Sequence, residues 1–138
     1  MNHTAQGTFD VRLEPSGTPD QGEGSALAAF VLSKRYHGPL DAESHGQMIS
    51  ASSVTEKGSA AYAAVERLTG TLDGRSGSFA LVHRGIMSAA ERELRIDIVP
   101  DSGSGELKGI RGTLDIEIAA DGTHTYTLTY ALPGGDVH

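Results

Sequence analysis

The sequence predicts an all-β protein: a closed antiparallel β-barrel of about eight strands in meander order, with residues 1–138 forming one domain. Three observations predict it. Apolar residues alternate with polar ones over short runs, glycines recur in clusters between those runs, and 138 residues suit a single core.

The elements follow in order. Near the start, Phe9, Val11 and Leu13 alternate with Asp10, Arg12 and Glu14, the period of a strand with one dry face. Residues 15–25 carry Pro15, Pro19 and three glycines among polar residues and read as a mobile surface loop. Segments 25–37, 41–53, 59–72 and 77–88 are β-compatible, although alanines and glycines blur their period. Two stretches oppose an all-β reading. Ser59 to Leu68 is alanine-rich and favours helix by propensity, and Ser88-Ala89-Ala90-Glu91 has the capping-box spacing of a single helical turn. Leu94, Ile96 and Ile98 alternate with Arg95 and Asp97; Leu114, Ile116 and Ile118 alternate with Thr113, Asp115 and Glu117. Between these two runs, Ser102-Gly103-Ser104-Gly105 reads as a tight hairpin loop. The clearest run is the last, where threonines occupy one face and His124, Tyr126, Leu128 and Tyr130 the other. Eight such segments suffice to close a barrel with room for side chains or one small ligand, and closure removes exposed edges.

Composition excludes several function classes. No cysteine is present, so disulfides, thiolate metal sites and cysteine nucleophiles are ruled out. The net charge of -7, with scattered basic residues, argues against nucleic acid as a partner. No apolar run approaches the roughly 20 residues that span a bilayer, and the start lacks the order of a signal peptide, so no membrane partner and a cytoplasmic location are expected. The six histidines show no short ligand spacing, so neither metal nor other cofactor is expected. No Gly-x-Ser-x-Gly elbow between strand and helix supports serine catalysis.

Alternation does nominate a site. Tyr62, Ala64, Glu66 and Leu68 share one face of segment 59–72, and Phe79, Leu81 and His83 share one face of 77–88. If both faces point inward, Glu66 meets His83 as an acid/base couple, with burial raising the Glu66 pKa towards neutrality. A one-residue slip puts Val65 and Arg67 inside and leaves Glu66 in solvent, and both registers remain open. His124, Tyr126 and Tyr130 would line the interior near the first strand, and Gln47 and Glu43 join them if the third strand faces the right way. The expected catalytic pair is therefore Glu66 and His83, and the expected ligand contacts are Gln47, Tyr62, Phe79, Leu81, His124 and Tyr126.

Longer motifs resemble a known family. The block Ala61 to His83, with Glu66-Arg67-Leu68-Thr69-Gly70-Thr71-Leu72-Asp73-Gly74 at its centre, is similar to the most recognisable part of the bacterial family called domain of unknown function 3224. Blocks at Ser33-Lys34 to Ser50-Ala51, Val99-Pro100-Asp101 to Leu107, and His124-Thr125-Tyr126 resemble it in the same order. The family's third strand carries Glu before Met-Leu, where this chain has Gln47-Met48-Ile49. The resemblance implies a barrel like that of allene oxide cyclase and implies no established reaction. By analogy with such barrels, the expected function is cofactor-independent binding of a small, largely apolar organic molecule, with cyclisation or isomerisation by proton transfer. The alternatives are a non-catalytic, lipocalin-like carrier and an interaction module with a filled core. Glu66→Gln is expected to abolish turnover and leave the thermal midpoint nearly unchanged. Apolar residues such as Phe30, Val65 and Val82, on whichever face turns outward, favour a homodimer.

Overall fold

The alternation is realised in eight long strands: β1 (His3–Pro15), β2 (Ser25–His37), β3 (Leu40–Ser53), β4 (Ala60–Leu72), β5 (Arg75–Met87), β6 (Arg92–Ile98), β7 (Arg111–Ile118) and β8 (His124–Ala131). The computed structural model describes residues 2–133. Every neighbouring pair is antiparallel and follows chain order. The first strand closes the barrel: its residues 3–9 pair with β8 and its residues 8–15 with β2. Among the described residues no helix is long and apolar enough to cross a membrane.

The alanine-rich stretch is strand β4. It pairs with β3 on one side and β5 on the other, and this two-sided ladder outweighs a helix propensity of a few tenths of a kcal/mol per residue. Ser88 does not open a helix either. Its Oγ accepts from the amides of Ala90 and Glu91 as a cap would, but its own amide donates to the carbonyl of Glu91 and the chain turns back as a hairpin. Within the expected loop 15–25, Asp20–Gln21 returns to the sheet and pairs with Leu27 and Ala26. The expected hairpin loop at 102–105 is part of a longer connection, residues 99–110. In it Ser104–Gly105 pairs with Ser78 and Gly77, and Leu107 and Ile110 become fully buried.

Burial along the inward face follows a gradient. At one end Ala5, Tyr36, Leu40, Leu72, Phe79 and Tyr130 pack with Leu107 and Ile110 into a sealed core. At the other end the inward side chains are half-buried or exposed: Val11 and Leu13, Phe30, Met48, Tyr62, and then Leu94 at 45% and Ile118 at 64% exposure. The dry faces read from the sequence at Val11, Leu13, Leu94 and Ile118 therefore face inward without being dry. Their strands reach the open end, where no facing layer covers them. The wall is also split there: among the described residues β6 and β7 share one bridge, Asp97 to Thr113, with no ladder beyond it towards Leu94 and Ile118.

Candidate functional site

Between the sealed core and the open end lies a layer of buried polar side chains: Lys34, Ser44, Glu66 and His83. Register explains why they meet. Gly46 pairs with Glu66, and Glu66 with Leu81, so the three share a face; Ser44 and His83 sit two residues along on the flanking strands, within diagonal reach of the Glu66 side chain. Lys34 pairs with Ser44 and brings β2 into the group. Gly46 has a steric role. A Cβ there would lie 1.9 Å from the Val65 carbonyl oxygen, so a side chain would force β3 away from β4 where Glu66 turns inward.

The Glu66 carboxylate is saturated with donors. Ser44 Oγ donates to Oε1 at 2.6 Å and Tyr36 Oη at 2.8 Å; Lys34 Nζ donates to Oε2 at 2.8 Å and His83 Nε2 lies 2.6 Å from it. Lys34 also donates to Tyr36 Oη at 3.3 Å, and its ammonium lies 5.0 Å from the centre of the Phe9 ring. Burial by itself would push the Glu66 pKa up. The His83 hydrogen bond and the Lys34 charge outweigh it and bring the pKa down to about 2. The sequence expectation of a Glu66 poised near neutrality is thus corrected: Lys34 was absent from that reasoning, and its charge reverses the sign. Tyr36 is held well above its ordinary pKa by burial and by the neighbouring carboxylate, so it remains a donor.

An ionised carboxylate only accepts hydrogen bonds, so His83 must present Nε2–H to Glu66. Among the described residues Nδ1 has no hydrogen-bond partner. The pair is thus an imidazole oriented by a carboxylate through one ring nitrogen. Tyr62 stands next to it, its ring centre 6.4 Å from that of His83 and its edge against Gly85, where any Cβ would collide with the ring.

The remaining expected contacts separate. His124 sits half-buried near the open end, its ring 5.2 Å from that of Phe9. Phe79 and Leu81 lie in the sealed core. Tyr126 points into the same core, where its hydroxyl donates to the His37 carbonyl at 3.0 Å and accepts from the Leu40 amide at 3.2 Å; it fastens the β2–β3 turn. Gln47 and Glu43 are exposed on the outer face, a correction that follows from register: Gly46 faces inward with Glu66, so its neighbour Gln47 faces outward. Sequence reasoning missed Lys34, Tyr36 and Ser44 as site residues. The signal for Lys34 was present, because alternation puts it between Leu32 and Tyr36 on an apolar face, where a lysine needs a buried counter-charge.

A cavity of 870 Å³ reaches this layer at its edge, since Tyr62 and His83 are among its lining residues. Most of its lining, including Leu27, Ile49, Ala63 and Val82, belongs to the outer wall of β2 to β5 and carries the opposite parity to Glu66, while Tyr62, His83 and Gly85 join it from inward positions.

The comparisons with known proteins agree with this architecture. The crystal structure at 1.84 Å resolution of a protein with unknown function from the DUF3224 family of Shewanella oneidensis MR-1 superposes with a TM-score of 0.89. It is 41% identical and the match covers 96% of this chain and 98% of that one. No curated protein matches the chain. The family profile described as "Protein of unknown function (DUF3224)" matches residues 5–130. With nearly its whole length in that profile, the chain belongs to the DUF3224 family.

Proposed function

We propose that the protein binds a small, largely apolar organic molecule in the open half of the barrel, above the polar layer, and that His83 is the group that exchanges a proton with it. The observation that carries this reading is a buried Lys34–Glu66–His83 cluster beneath a collar of inward apolar side chains that lack a covering layer. Ionisable groups are rarely buried without a task, and concave apolar sites with few polar groups are the usual form of a small-molecule site. Val11, Leu13, Phe30, Met48 and Tyr62 would supply the apolar contact, and the split between β6 and β7 gives a route in.

Glu66 takes no proton in this scheme, since it is ionised and fully engaged; it orients His83 and accepts from Lys34. Cyclase or isomerase chemistry, implied by the resemblance to allene oxide cyclase barrels, fits a single positioned base and needs no cofactor. A cytoplasmic location is part of the same reading.

Native mass spectrometry of gently purified protein tests it. A retained mass that His83→Phe and Met48→Asp each remove supports the proposal, and a chemically unaltered ligand identifies a carrier. No bound mass, together with no response to a broad set of apolar compounds, overturns it in favour of an interaction module.

A further inference from the structure

The outer wall of β2 to β5 carries an apolar patch towards the open end of the barrel, away from Arg35, Asp41, Glu43 and Arg67 on the same strands. Leu27, Val31, Ile49, Val65, Val82 and Ile86 are exposed on it, Ile49 at 62% and Val65 at 53%. The ladders make them contiguous: Ile49 lies beside Ala29 on one side and Ala63 on the other, and Val65 pairs with Val82. Acidic residues border the patch, Glu14 beside Val31, Asp20 beside Leu27, Glu93 beside Ile86 and Asp97 beside Val82, and Arg84 within it donates to Glu93 at 2.8 Å. An apolar centre with a charged rim is the anatomy of a protein–protein interface.

We propose that this wall is a two-fold interface between two copies of the chain. The six large side chains leave on the order of 500 Å² open, and pairing two such walls removes about twice that, the size at which specific interfaces begin. The relief is self-complementary. Ile49 stands as a ridge between the hollows over Ala29 and Ala63, so in a face-to-face sheet packing the ridge of one copy seats in the hollow of the other. A small molecule fits less well, because the 870 Å³ concavity is open along its length and would leave a bound compound largely in water. The large apolar side chains of the interface lie on the face opposite the Glu66 side chain, although the concavity between them also reaches Tyr62 and His83.

Sedimentation equilibrium on the full chain tests it, together with a cross-link made possible by the absence of cysteine. The expected result is a particle of twice the 14.4 kDa chain mass at micromolar concentration. Ile49→Lys and Ala63→Glu should each return it to one chain mass with an unchanged β-type circular dichroism spectrum. Ala63→Cys should form a disulfide-linked pair under mild oxidation, whereas Glu117→Cys should not. A wild-type monomer at 100 µM overturns the proposal, as does a dimer that survives both folded charge variants. If the charge variants do not fold, the cysteine pair decides: equal cross-linking at both positions, or none at Ala63→Cys, overturns it.

Discussion

Replacing Glu66 with Gln removes one charge and leaves the shape of the side chain unchanged, so it isolates the electrostatics of the polar layer. The Glu66 pKa is about 2 in the folded protein against an ordinary 4.5. A folded pKa below the unfolded one means that ionisation favours the fold. The contribution is complete above about pH 4.5 and is lost as the pH falls towards 2. The difference corresponds to about 3 kcal/mol, and the carboxylate is fully buried, so solvent screening does not reduce it. In Glu66→Gln the amide nitrogen faces donors, and Lys34 stays buried without its counter-charge. Breaking such a pair costs about 3 to 5 kcal/mol. Urea unfolding followed by far-ultraviolet circular dichroism, at pH 7, 5 and 3, measures it for both proteins. Other carboxylates titrate equally in the two, so the gap between them reports Glu66 alone. The gap should be about 3 to 5 kcal/mol at pH 7 and narrow below about pH 4.5. A gap under about 1 kcal/mol at pH 7, or one that stays constant to pH 3, would refute the assignment of Glu66 as the buried counter-ion. This reverses the expectation from sequence, in which Glu66→Gln spared stability.

Further predictions concern neighbouring parts of the same layer and its supports. Lys34→Met should raise the Glu66 pKa, read as a carboxyl carbon-13 titration that moves up, and the double variant Lys34→Met with Glu66→Leu should be more stable than either single charge removal. Gly46→Ala should destabilise by about 2 kcal/mol or more in thermal unfolding, because the added methyl meets backbone at Val65. Gly85→Ala meets the Tyr62 ring first, at 2.3 Å, and Tyr62→Ala should rescue it. Tyr126→Phe should lose about 1 to 2 kcal/mol by urea unfolding through the β2–β3 turn and leave ligand binding unchanged, which separates it from the site.

Alternation alone marked β1, β6, β7 and β8, and it put Glu66 on the face shared with Leu68 and His83 on the face shared with Leu81. It did not orient β3, whose inward residues Ala42, Ser44 and Gly46 are small and carry no hydrophobic signal; only the pairing of Gly46 with Glu66 fixes its parity. Period-two reasoning assigns a face and not a height along the barrel. It therefore could not separate Phe79, Leu81 and Tyr126, at the sealed end, from Tyr62 and His124, near the open one. The connection 99–110 was illegible for a different reason: Leu107 and Ile110 are isolated apolar residues in a glycine-rich stretch, and their burial depends on the barrel end they cover.

The most direct test of a ligand chamber above the polar layer is methyl nuclear magnetic resonance during titration with an apolar naphthalene probe. Shifts are expected at Leu13, Met48, Leu94 and Ile118, and they should vanish in His83→Phe. Shifts confined to Leu27 and Ile49 on the outer wall, or none at all, would contradict it.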